Sequence, residues 1–107
     1  MYKILSIALL LFISSCKAEP PMKSDTLLIA FWNLENLFDT IDDPNKDDQE
    51  FLPDGLKAWT EERLDKKMYN LARVFKSMND YKAPDAIGVV ECENQEILQK
   101  FISKYFK

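Results

Sequence analysis

The sequence predicts an α/β fold with the element order β-α-β-α, and three observations lead to this prediction. Two short runs, residues 27–33 and 86–91, have the near-continuous hydrophobicity of strands buried on both faces in a parallel sheet. One amphipathic helical pattern, residues 61–78, lies between them, and another, residues 97–105, follows. Because a helical crossover returns the chain in the same direction, we expect adjacent parallel strands joined by a right-handed connection.

The first element along the chain is an export signal. Lys3 gives a basic start, and residues 4–13 are almost wholly apolar. This stretch is about half of the roughly 20 residues that a membrane-spanning helix needs, so it fits the core of a cleaved signal peptide. The next residues resemble a bacterial lipobox, in which an aliphatic residue and two small ones precede Cys16. The alternative is an ordinary signal peptide with an incidental cysteine.

Lipid modification of Cys16 predicts both the location and the domain organisation. Residues 1–15 would be a lipoprotein signal peptide, residues 16–26 a tether stiffened by two prolines, and residues 27–107 one small folded domain. Several acyl chains on one residue satisfy the requirement of stable anchoring. We therefore expect an exported protein anchored to a bacterial membrane through Cys16, at the cell envelope and in the outer membrane.

Charge is the next informative feature. The chain has 14 basic and 18 acidic residues, a net charge of −4 that is unfavourable for binding a polyanion through its backbone. The acidic residues are concentrated in residues 39–54. This segment lacks the central Gly and the final Glu of a calcium-binding EF-hand loop. We interpret it as a solvated, mobile loop.

The helices are predicted from capping residues and apolar spacing. Thr60 is a suitable N-cap for the first helix, and Trp59 and Leu56 are expected to pack beneath its start. The apolar residues of both helices are assigned to the core: Leu64, Met68, Leu71, Phe75 and Met78 in the first, and Ile97, Leu98, Phe101, Ile102 and Tyr105 in the second. Cys92 is interpreted as a structural thiol, because the chain has no His to activate a cysteine nucleophile.

Candidate site residues follow the two predicted strands. Asn33 and Glu35 come at the end of the first strand and Glu91 at the end of the second. Ligands of open α/β sheets bind at the carboxyl ends of parallel strands. The three side chains are therefore expected to converge, although they are distant in sequence.

Two segments around these residues resemble the endonuclease/exonuclease/phosphatase superfamily. They are Phe-Trp-Asn-Leu-Glu-Asn-Leu-Phe-Asp at residues 31–39 and Ile-Gly-Val-Val-Glu-Cys-Glu-Asn at residues 87–94. The likeness is greatest to secreted bacterial members and covers residues 27–98. It implies the amino-terminal β-α-β-α portion of a two-sheet α/β sandwich, so residues 27–107 would be a partial domain of that fold.

The resemblance also implies the chemistry of the site. Asn33 and Glu91 correspond to active-site residues, Glu91 is the principal metal ligand, and Glu35 falls where many members have an acidic residue near the metal. The implied cofactor is Mg²⁺, or Mn²⁺, which prefers carboxylate and water oxygens. The alternative is that Glu35 and Glu91 are solvated residues at strand ends.

The same resemblance implies residues that this sequence lacks. The family uses a general-base His near its carboxyl terminus, and this chain contains no His. We interpret the chain as an amino-terminal fragment of a phosphoesterase or nuclease, catalytically incompetent alone, whose partner would be a missing carboxy-terminal half. The alternative is a non-catalytic envelope lipoprotein or interaction module with a vestigial fold. DNA, RNA, phospholipid head groups and small phosphate esters all remain open as substrates.

Overall fold

The computed structural model describes residues 26–107. They form strand β1, a short 3-10 helix, helix α1, strand β2 and helix α2, with the bounds Ile29–Leu37, Gln49–Phe51, Glu61–Tyr81, Ala86–Cys92 and Gln95–Tyr105. The predicted signal peptide, Cys16 and almost all of the predicted tether lie outside the described residues. Within residues 26–107, no helix has the length and apolar character needed to cross a membrane.

The two strands pair in parallel, which confirms the predicted arrangement. Ile29 lies opposite Ala86, and the register continues to Asn33 opposite Val90. It shifts between Asn33 and Leu37, where β1 extends past the predicted end of the strand. The α/β fold is therefore that of a two-stranded parallel sheet with two helices, as expected for the β-α-β-α portion of the superfamily fold.

The prediction that both faces of the strands are buried is wrong. Trp32, on the face towards the helices, packs edge-on against Phe75 of α1 with ring centroids 6.0 Å apart. On the opposite face, here called the outer sheet face, Ile29, Phe31 and Val90 are 59%, 83% and 59% exposed. Since both helices cover the same side of the sheet, the described residues leave this apolar face open to solvent.

Helix α1 begins as predicted and forms the centre of the core. The Thr60 side chain accepts a hydrogen bond from the backbone N–H of Arg63 at 3.3 Å, which satisfies one of the free amides at the helix start. Three of the predicted core positions, Leu64, Met68 and Phe75, are fully buried. The backbone leaves helical geometry at Met78, so regular helix ends where the sequence indicated.

The packing beneath the start of α1 differs in part from the prediction. Trp59 is buried, and its indole N–H donates to the backbone oxygen of Phe38 at 3.0 Å. Leu56 is 85% exposed and does not pack beneath the helix, contrary to expectation. The chain turns at Gly55, whose N–H bonds to the Leu52 oxygen, and this turn places Leu56 on the surface.

Helix α2 closes the other side of the core. Asn94 is its N-cap, and the Asn94 side chain accepts from the backbone N–H of Ile97 at 2.8 Å. Ile97 and Phe101 are buried, whereas Ile102 is 43% exposed and lies outside the core to which it was assigned. The rings of Phe75 and Phe101 join the two helices at a centroid distance of 5.9 Å.

The acidic segment is more ordered than the predicted solvated loop. It contains the 3-10 helix, and Phe51 stacks on Phe38 with ring centroids 4.0 Å apart. Asp48 is only 2% exposed, and its Oδ2 accepts from the backbone N–H of Asp43 at 3.0 Å. The segment therefore contains a buried carboxylate, and its Phe51 packs against Phe38 just after the end of β1.

Candidate active site

Asn33 and Glu91 meet at the carboxyl ends of the two strands. Nδ2 of Asn33 donates to Oε1 of Glu91 at 2.8 Å. The contact follows from the register, since Asn33 lies opposite Val90 and Glu91 is the next residue. Two residues that are 58 positions apart in sequence thus form one polar unit, which is where the sequence analysis placed them.

Glu35 lies beside this pair through a local turn. Oδ1 of Asn33 accepts a hydrogen bond from the backbone N–H of Glu35 at 2.7 Å. The Asn33 side-chain amide thus donates to the Glu91 carboxylate through its nitrogen and accepts from the Glu35 backbone through its oxygen. A charged side chain cannot do both, because an ionised carboxylate only accepts and a Lys or Arg side chain only donates.

The backbone at both strand ends adopts left-handed conformations. Glu35, Asn36 and Glu91 have φ values of 53°, 61° and 57°. Such values are uncommon outside glycine and cost on the order of 1–3 kcal/mol each, so they persist only where surrounding contacts enforce them. Here the conformations coincide with the register shift in β1, after which Leu37 pairs with Cys92.

Lys67 is a residue of this region that the sequence analysis missed. Its Nζ donates to the backbone oxygen of Glu35. Burial lowers the pKa of Lys67, and the negative charges of Glu35 and Glu91 act against that shift. The position of Lys67 in the helix could have identified it from the sequence. It lies three residues after Leu64 and four before Leu71, at the edge of the apolar stripe nearest the strands.

The donor set is small but suits a magnesium-type ion. In residues 26–107, no group of three or more His, Cys, Asp or Glu side chains is arranged to hold a metal ion. Mg²⁺ is commonly bound by only one or two protein carboxylates, with water and substrate phosphate completing its shell. Glu91 is exposed and its contact with Asn33 uses Oε1, so Oε2 is accessible. The exposed Glu91 carboxylate is therefore the group of this site that could hold a metal ion, whereas the hydrogen bonds of Glu35 involve its backbone atoms.

The residues after Glu91 have a structural role. Oε2 of Glu93 accepts from the backbone N–H of Asp39 at 2.9 Å, and Asn94 Nδ2 donates to Asp39 Oδ2 at 3.1 Å. Burial raises the pKa of the Glu93 carboxyl. Glu93 and Asn94 thus fasten the beginning of the acidic segment to the end of β2.

Cys92 is half-buried at the same strand end. Its Sγ lies 3.5 Å from the backbone oxygen of Asn94, and burial raises the pKa of the thiol. A raised pKa disfavours the nucleophilic thiolate, which agrees with the structural role predicted for this residue.

Comparison with known proteins gives one match. The sequence model described as Endonuclease/Exonuclease/phosphatase family matches residues 28–106. Searches of curated proteins and of solved structures gave no significant match. The matched range includes both strands, both helices and every candidate site residue described above.

Proposed function

The chain belongs to the endonuclease/exonuclease/phosphatase family, and on this premise we propose that it carries the Asn33–Glu91 part of a metal-dependent phosphoesterase site. The observation that supports the proposal most is the 2.8 Å contact between Asn33 and Glu91. The family match supports the proposal, because the matched range includes both residues. The substrate class is a phosphate ester, either in a nucleic acid or in a phospholipid head group.

Each residue has a distinct part in this proposal. Glu91, with Glu35, would hold Mg²⁺ or Mn²⁺, which supplies positive charge to a phosphoryl oxygen when bound. Asn33 fixes the Glu91 carboxylate without adding negative charge beside it. Lys67 holds the Glu35 turn and contributes a cation close to both carboxylates.

We propose further that these 107 residues alone have little or no turnover. The chain has no His, the residue most often used as general base, and a general base contributes on the order of 10²–10⁴-fold. The Asn33–Glu91 pair would supply metal binding and orientation and would leave the activation of water to a group outside this pair.

Hydrolysis of an aryl phosphodiester with Mg²⁺ or Mn²⁺ tests the catalytic part of the proposal. Wild type and Glu91→Gln should both remain near background, while the wild type alone binds the metal. Turnover well above background that is lost in Glu91→Gln would show that this chain is a competent enzyme and would overturn the proposed incompetence.

We also propose that Cys16 carries lipid and anchors the chain at the bacterial envelope. The support is the sequence around Cys16, with its preceding apolar run and small residues. Metabolic labelling with a fatty-acid analogue should tag the wild type and leave Cys16→Ala untagged. Equal labelling of the two would refute it.

A further inference from the structure

One side of α1 carries cations that are not engaged by acidic side chains. We define the cationic face of α1 as Arg63, Lys66, Lys67, Asn70 and Arg73. Residues 66–79 contain no Asp or Glu, although the chain as a whole is acidic. Among the described residues, the ion pairs involve Lys46, Lys57, Lys100 and Lys104, and none includes a member of this face.

Two acidic residues near the start of α1, Glu61 and Asp65, are held elsewhere. Asp65 accepts from Lys104 of α2 at 2.8 Å, and Glu61 accepts from Lys100 at 2.9 Å and from Thr40 at 2.5 Å. These contacts draw both carboxylates towards α2 and the acidic segment. Glu61 and Asp65 therefore lie away from the cationic face, and the carboxylates that border it are Glu62 at the start of α1 and Glu35 beside Lys67.

The cationic face borders a groove made of two adjoining depressions, the first of which begins at the candidate site. A depression of about 570 Å³ is lined by Asn33 and Glu35 at one end and by Lys66, Lys67 and Asn70 along α1. A second depression of about 620 Å³ continues from Asn70 to Arg73 and Tyr81. The two depressions adjoin on α1, since Asn70 and Val74 line both of them.

Aromatic surface accompanies the cations. Trp32, which is 39% exposed, lines the groove next to Asn33. Tyr81, which is 84% exposed, lies at the far end. Cations that track a backbone, together with exposed rings on which bases can stack, are the recurring features of surfaces that bind single-stranded nucleic acid.

We propose that the cationic face of α1 binds the phosphate backbone of a single-stranded nucleic acid and leads it towards Asn33 and Glu91. The face carries four cations over a helix rise of roughly 15 Å, so it can neutralise at most four phosphates. This inference rests on the proposed function for its direction towards the site, but the binding surface itself needs no metal and no turnover.

Fluorescence anisotropy with a short labelled oligothymidylate in EDTA tests the proposal. Binding should weaken with salt, and the slope of log K against log[salt] should be about −2 to −3 for three to four neutralised phosphates at −0.7 each. Lys66→Gln with Arg73→Gln should lower affinity about tenfold and reduce the slope by about 1.4, the value for two lost phosphate contacts.

A matched variant controls for net charge. Lys100→Gln with Lys104→Gln removes the same charge from α2, where both lysines are already paired, and should change affinity little. Equal losses in the two double variants would mean that only overall charge matters, and would overturn the proposal. Binding to vesicles of equal parts phosphatidylserine and phosphatidylcholine, without binding to the oligonucleotide, would assign the face to a membrane and also overturn it.

The Glu91→Gln variant separates this inference from the proposed function. It should bind the oligonucleotide in EDTA at least as tightly as the wild type, because a negative charge at the end of the groove has been removed. If Mn²⁺ fails to bind at Glu91 but the anisotropy results stand, the proposed function fails and the nucleic-acid surface survives. If the oligonucleotide does not bind while Mn²⁺ does, the inference fails alone.

Discussion

At the scale of single residues, Asn33 and Glu93 have different roles: Asn33 belongs to the candidate site, and Glu93 is a buried structural residue. Asn33 donates to Glu91 and accepts from the Glu35 amide, so it organises the candidate site. Glu93 lies only two residues after Glu91, yet its carboxylate is buried and bonds to the Asp39 backbone. Two acidic residues at one strand end thus differ in environment: Glu91 is exposed beside Asn33, and Glu93 is buried.

Glu93 should make stability depend on pH. Burial raises the pKa of its carboxyl in the folded chain above the ordinary 4.5, so ionisation costs folding free energy. The free energy of unfolding of the wild type should therefore fall, relative to Glu93→Gln, as the pH rises above about 4.5. The Gln carbonyl can still accept from Asp39. Urea unfolding of both proteins between mild acid and neutral pH measures the difference.

Glu96→Gln is the control for that series, since Glu96 is exposed on the first turn of α2. Its unfolding free energy relative to the wild type should not follow the trend of Glu93→Gln. A constant difference between the wild type and Glu93→Gln across the pH range would show that burial of Glu93 is not linked to its protonation.

At the scale of elements, α1 is the part of the fold that the sequence predicted best. Its cap, its apolar stripe and its end follow from local chemistry, because 3.6-residue periodicity depends only on neighbouring turns. The open outer sheet face and the exposed Leu56 could not be predicted in this way. A strand's hydrophobicity indicates that it can be covered on both faces, but not what covers it.

Substitutions at Leu64 and Leu56 test which of the two residues belongs to the hydrophobic core. Leu64 is fully buried, so Leu64→Ala should lower the free energy of unfolding by about 2–5 kcal/mol. Leu56 is 85% exposed, and Leu56→Ala should change it by less than about 0.5 kcal/mol. Chemical denaturation of the two variants measures this. Comparable losses would mean that Leu56 packs beneath α1 as the sequence suggested.

The two helix caps should differ in strength. Asn94 caps α2 and also donates to Asp39, whereas Thr60 caps only its own helix. Loss of a cap costs about 1 kcal/mol, and a further hydrogen bond adds about the same. Asn94→Ala should therefore destabilise more than Thr60→Ala in thermal unfolding. The reverse order would contradict the role of Asn94 in fastening the acidic segment to β2.

At the scale of the whole molecule, charge and apolar surface are both segregated. Acidic residues collect between β1 and α1, cations lie along one side of α1, and the outer sheet face is apolar. The amino-acid composition gives only the net charge of −4, which disfavours the binding of a polyanion. The separation depends on tertiary contacts such as those of Asp65 and Glu61, which sequence alone does not show.

The outer sheet face should make the 107-residue chain self-associate. Exposed apolar patches and sheet edges favour association. Phe31 is 83% exposed and lies over Gly88, so Phe31→Ser should lower association in sedimentation velocity measurements across a concentration series. Ile41→Ser, in the acidic segment, removes a residue of similar exposure away from the sheet and should have little effect. A monomeric wild type at all concentrations would contradict the prediction.

Asn33, Glu35 and Glu91 are proposed to form the metal-binding part of a phosphoesterase site. Titration of ¹⁵N-labelled protein with Mn²⁺ tests this claim most directly, because the ion broadens the amide signals of the residues nearest to it. We predict broadening at the ends of β1 and β2 that is lost in Glu91→Gln and kept in Asp42→Asn. Broadening confined to the acidic segment, or unchanged by Glu91→Gln, would contradict the claim.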